Sequence, residues 1–168
     1  MSTCEKFTFF YTGPFSQWHP SKFQVDGQNF THAEQYMMAA KASLFSDQDA
    51  LRRILKATHP KEQKALGRQV KNFNKESWNK VARDLVYCGN YAKFTQDQKL
   101  KGILLATDGT TLVEASRYDR VWGMGLSADD PKILSRKTWK GTNWLGEVLT
   151  KVREDIKAGV KSTEFNWS

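Results

Sequence analysis

The spacing of apolar positions changes along the chain, and the changes mark elements. Residues 6–11 (Lys-Phe-Thr-Phe-Phe-Tyr) concentrate aromatics and read as a short strand, ended by Gly13-Pro14. Residues 22–26 alternate apolar with polar and run into Asp26-Gly27, a turn signal, which predicts a second strand. From Thr31 the period lengthens. Ala33, Tyr36, Met37, Ala40 and Leu44 recur at helical spacing and predict a helix over about 32–45 with Thr31 as its N-cap. Asp47 opens another helix that stops near His59-Pro60, and Pro60 suits the first turn of the next, to about Val70. Trp78, Val81, Ala82 and Leu85, with Tyr87 or Cys88, give the buried side of a long helix over 75–94, which Gly89 interrupts. A short helix over 97–106 and a strand over Thr111–Glu114 follow. Residues 117–142 are polar, glycine-punctuated and carry Trp122 and Trp139; a loop of that length and composition in a compact domain points to function. Leu145, Val148, Leu149, Val152 and Ile156 predict a last helix over 143–158, and residues 159–168 form an expected loose tail. One domain, over 1–158, is the reading that this length and these elements suggest.

Composition narrows the classes. The chain has 168 residues, 39% of them hydrophobic, with six Trp, five Tyr and ten Phe, ample for a core and against global disorder. No apolar run reaches the ~18–20 residues of a membrane span, and the N-terminus shows no secretory signal. Two cysteines, Cys4 and Cys88, make no disulfide framework and fit a reducing compartment, so an intracellular, cytoplasmic or nuclear protein is expected. His19, His32 and His59 lack any HExxH or CxxC companion, so no metal and no cofactor is expected. The net charge of +8 is localised. Residues 51–83 hold ten basic residues and two acids, while the remainder is balanced. A block of this kind suits a phosphate-bearing partner.

Four constellations could carry chemistry. In Thr31-His32-Ala33-Glu34, the Thr-x-x-Glu spacing is that of a capping box, with Glu34 reaching back to the cap amide. The competing reading is a carboxylate aimed into a cleft, since Glu34, Met38, Lys41 and Phe45 share a helical face. In Asp119-Arg120-Val121-Trp122-Gly123-Met124-Gly125, either a turn holds Asp119 against an Arg, or an acid, an aromatic plate and two glycines admit a ligand close to the backbone. Gly141-Thr142-Asn143 either caps the last helix or presents its N-terminus to an anion. Trp78 within the basic block is either core or a stacking platform.

The order and spacing of several pieces resemble the NADAR family of YbiA-like N-glycosidases. They are Phe9-Phe10-Tyr11, Phe15-Ser16, Val25-Asp26-Gly27, Ala33-Glu34-x-Tyr36-x-x-Ala39-x-Lys41, Gly67-Arg68, Trp78, Lys93-Phe94, Leu104-Leu105-Ala106-Thr107, Val113-Glu114, Asp119-x-x-Trp122-Gly123-x-Gly125 and Gly141-x-Asn143-x-Leu145-Gly146. The resemblance runs from about Phe9 to Arg153. It implies an α+β fold, a compact single domain that is mainly helical with a small β-sheet, and a hydrolase of ribosyl C1–N bonds, with Glu34 and Asp119 as catalytic carboxylates. Tyr11, Lys41, Arg68, Trp78, Trp122, Gly123, Gly125 and Asn143 would contact substrate. Gln35 stands where the bacterial pattern often has His, and Gln17-Trp18 replace a common Asn-Phe. The implied substrate is ADP-ribosylated guanine in DNA or RNA, which the basic block favours, or else the small phosphoribosylamino-pyrimidine intermediate of riboflavin synthesis. A non-catalytic ADP-ribose or nucleotide-binding module is the reading from another class. No membrane partner is expected, and a monomer is.

Overall fold

The computed structural model describes residues 4–167. They contain six α-helices and four short strands, and the chain divides into two compact units, one made of the residues up to Ser16 and from Gln98 onward, the other of Gln17–Asp97.

In the first unit, β1 (Phe7–Phe10) lies parallel to β4 (Thr111–Glu114), with Phe7 opposite Thr111 and Phe10 opposite Glu114. A parallel pair needs a crossover; here the whole Gln17–Asp97 unit and α5 (Gln98–Leu105) lie between the two strands in sequence. The final helix, α6 (Trp144–Ala158), covers the pair with Leu145, Val148, Leu149 and Val152, all at most 1% exposed. Each such side chain contributes roughly 1.5–3 kcal/mol by leaving water. Val113, Ala115, Met124, Leu126 and Ile133 form a further cluster, with Phe7, Phe9 and Trp139 against it. The 117–142 segment is a loop with two 3-10 turns, Pro131–Leu134 and Arg136–Thr138. Beyond Gly159 the chain is coil; the Val160 N–H donates to the Asp155 carbonyl, and Phe165 stacks on Trp167.

In the second unit, β2 (Phe23–Val25) turns through Asp26 and Gly27, both at positive φ, into the antiparallel β3 (Gln28–Phe30). The strand β3 is an element the hydrophobic pattern did not predict, because two of its three residues are exposed and polar. Helix α1 (Ala33–Leu44) is central and packs on α2 (Gln48–Lys56), α3 (Pro60–Gly67) and α4 (Lys75–Gln96). Asp47, His59 and Asn74 cap α2, α3 and α4 through their side chains. Two glycines allow the close packing. A Cβ on Gly67 would sit 1.9 Å from Met38 Sδ, and one on Gly89 would sit 2.4 Å from the Tyr36 ring. Gly89 therefore belongs inside a helix whose neighbour leaves no room for a side chain.

Candidate active site

The start of α1 departs from the capping box. Its N-cap is His32, whose side chain makes no cap bond, one residue later than expected. The reach back toward the cap is made by Gln35, whose Oε1 accepts from the Thr31 N–H at 2.8 Å. The Gln35 amide nitrogen donates to the carbonyls of Ile54, Leu55 and Ala57, which pins the α1 start to the α2 end. Gln63 reinforces the junction, donating to Thr31 Oγ1 and the Ala57 carbonyl. Gln35 thus makes the contact with the Thr31 amide that the capping box assigns to Glu34.

Glu34 is nonetheless only 6% exposed. Its backbone N–H donates to the Gln17 carbonyl at 3.0 Å. Lys41, two turns along the same helix, feels its charge: burial lowers the Lys41 ammonium, the Glu34 carboxylate opposes that shift, and Arg68 adds to it. The second unit therefore brings Glu34, Lys41 and Arg68 into one electrostatic group. Arg68 is the exposed C-cap residue of α3. Lys41 Nζ lies 4.5 Å over the Phe73 ring, and Lys64 Nζ lies 5.9 Å over Trp18.

Two further titratable residues of the second unit, Lys93 and His32, were given no role from the sequence. Lys93 is 1% exposed, and burial pushes its ammonium down to about 7, so near neutral pH a large fraction of it is an uncharged amine. Burial, with the charges of His59, Lys93 and His19, holds the His32 imidazole below its usual range. The signal for Lys93 lay in the sequence. Trp78, Ala82, Val86, Asn90 and Lys93 continue one buried stripe of α4, so a lysine occupies a position where the helical period calls for an apolar residue. Asn90 donates from Nδ2 to Gln17 Oε1 and to the Val86 carbonyl. Gln17 thus touches Glu34 through its backbone and Asn90 through its side chain. Trp78 itself is 7% exposed, placed in the core of the second unit. A groove of about 490 Å³ runs along another face of α1, lined by apolar residues such as Tyr36, Ala40, Leu44 and Leu55, and none of the candidate residues borders it.

The remaining candidates lie in the first unit. Asp119 Oδ1 accepts from the N–H groups of Val121 and Trp122, which makes a tight side-chain turn rather than a pair with a neighbouring Arg. Trp122 is half-buried and meets Trp144 edge-on at 5.5 Å. Tyr11 is 53% exposed. The glycines of this segment serve the protein's own backbone. A Cβ on Gly123 would meet the Asp119 and Glu114 carbonyls at 3.0 and 3.1 Å, and Gly125 sits at φ +66°. Gly141 is tighter still, 2.2 Å from the Gly123 carbonyl.

Asn143 is fully buried in a left-handed conformation. Its Oδ1 accepts from the Glu114 N–H, and its Nδ2 donates to the Leu112 carbonyl. Both ends of the amide thus clamp β4, and the side chain makes no cap bond to α6. Nor is the α6 N-terminus an anion site: the N–H groups of Thr142, Asn143, Trp144 and Leu145 donate to the carbonyls of Arg120, Gly123, Val121 and Trp122. Among the described residues no group of three or more His, Cys, Asp or Glu is placed to hold a metal ion, and no helix is long and apolar enough to cross a membrane.

Comparison with known proteins places this arrangement. The family model described as the NADAR domain matches residues 8–157. The N-glycosidase R617 of Acanthamoeba polyphaga mimivirus is 43% identical over 146 residues, 84% of this chain and 86% of the viral protein. The NMR structure of the Escherichia coli protein YbiA aligns with a TM-score of 0.76 at 26% identity, covering 94% of this chain and 89% of that one. A chloroplastic riboflavin biosynthesis protein PYRR of Zea mays is 29% identical over 163 residues, 90% of this chain but 24% of the maize protein. With the family model spanning nearly the whole chain and a close relative covered almost end to end, the chain belongs to the NADAR domain family.

Proposed function

We propose that this hydrolase of N-glycosyl bonds cleaves the ribosyl C1–N bond of a phosphorylated ribosyl-base substrate, and that the substrate is ADP-ribosylated guanine in a nucleic-acid strand. One observation carries the reading: Glu34 is a buried carboxylate on α1, and its charge and that of Arg68 both act on the half-buried Lys41. Cleaving the C1–N bond builds positive charge on the ribose ring, and a fixed carboxylate stabilises it. Water supplies the oxygen that bonds to C1, and its proton ends on the departing base nitrogen. Glu34 manages that proton. Lys41 and Arg68 suit the phosphates. Asp119, pinned by two amides, orders the turn that carries Trp122 in the first unit. The protein works as a monomer inside the cell.

The basic block favours a strand. Its ten basic residues lie on α2, α3, the first turns of α4 and the segments that join them. The maize relative's name favours the alternative, the phosphoribosylamino-pyrimidine intermediate. The test offers both substrates side by side. Release of ADP-ribose from a modified oligonucleotide, weakening steeply between ~50 and ~200 mM salt, is the expected result. Turnover of the pyrimidine alone would overturn the assignment.

A further inference from the structure

Two large aromatic side chains of the second unit stand out at the surface, Trp18 at 41% exposure and Phe73 at 43%. Each carries a lysine ammonium over its ring, Lys64 over Trp18 and Lys41 over Phe73. Their placement follows from how α1 and α3 cross. The crossing point is Met38 against Gly67, where a Cβ would overlap the sulfur. On α1, Met38 lies between Glu34 and Lys41. On α3, Gly67 lies between Lys64 and the cap residue Arg68. Trp18 belongs to the Glu34 side, since it follows Gln17, whose carbonyl takes the Glu34 N–H. Phe73 belongs to the Lys41 side, through the ammonium above it. Glu34 and Lys41 are seven residues apart, about 10 Å along the helix axis.

An aromatic plate paired with an ammonium is the unit that single-stranded nucleic acid uses, the base stacking on the ring and a phosphate meeting the cation. With one pair at the Glu34 end and the other at the Lys41 end of that span, the two suit separate bases. The surrounding block of ten basic residues supplies the charge complementarity. We infer that Trp18 and Phe73 form a stacking track along α1 and α3 that holds unmodified single-stranded nucleic acid beside Glu34. This inference rests on the strand reading of the proposed function.

The test needs no turnover. A fluorescent, unmodified single-stranded oligonucleotide of about 12 nucleotides is titrated with the full chain and followed by anisotropy, with a duplex of the same sequence for comparison. Trp18→Ala and Phe73→Ala each lose about tenfold in affinity, the loss of one stacked base, while the dependence on salt keeps its slope. Lys64→Ala lowers that slope by about one. Trp18→Phe retains most of the affinity where Trp18→Leu does not, a contrast that also serves if the alanine variant fails to fold. Equal affinity for single strand and duplex, or aromatic variants within twofold of the parent, would overturn the inference. Because the oligonucleotide carries no ADP-ribose, its failure to bind leaves the base-release assay standing. Strand binding without any base release would sink the activity instead.

Discussion

Lys93 makes a quantitative prediction about stability. Its ammonium is fully buried and titrates at about 7 in the folded protein, against about 10.4 in an unfolded chain. Between these values the unfolded chain holds a proton that the folded one has released, so stability rises with pH through the window and falls as pH drops toward 7. Below the folded value the penalty is complete and the slope vanishes. With half of Lys93 protonated at pH 7 and nearly none at pH 9, the gain over that interval is about 2 kcal/mol. The assay is urea denaturation at pH 7, 8 and 9 for the parent and for Lys93→Met, which keeps the length of the stem and removes the charge. The methionine variant should lose the slope and be more stable than the parent at pH 7. All other groups are common to both proteins and cancel in the difference. The same slope in both proteins would refute the assignment of a depressed lysine.

Further outcomes follow from the buried polar clamps and the tight glycine. Asn143→Ala should cost about 3–5 kcal/mol, since it strands the Glu114 N–H and the Leu112 carbonyl and forces alanine into a left-handed backbone; Asn143→Gly should cost about 1 kcal/mol less, read in the same denaturation assay. Gln35→Ala should cost about 2–4 kcal/mol by leaving the Thr31 N–H and the carbonyls at the end of α2 without their partner, visible as a lower melting temperature. Gly141→Ala places a Cβ 2.2 Å from a backbone carbonyl and should reduce soluble yield and stability by more than about 1–3 kcal/mol, the usual range for overpacking.

Much of the architecture was legible because helical period and turn chemistry are local. Asp47, Pro60 and the Leu145–Val152 face each mark what they form. The site was legible in part. Glu34 stood out as a carboxylate, but the contact to the Thr31 amide went to Gln35 through a one-residue shift of the helix start. That shift depends on α2, whose carbonyls Gln35 must satisfy, and no local pattern reports it. Gly123 and Asn143 matched a ligand-contact pattern, and in the fold both lie against the protein's own backbone, since a residue needed for close approach looks the same whichever partner approaches. Lys93 went unread as chemistry because a lysine's charge reads as surface unless its place on the buried stripe is weighed first.

The central claim is that Glu34 acts in bond cleavage. Glu34→Gln keeps the shape and removes the charge, so base release from an ADP-ribosylated guanine oligonucleotide should fall at least ~10²-fold while fold and ligand binding persist. Turnover at the parent rate, with a melting temperature lowered by several degrees, would contradict the account and return Glu34 to a structural role.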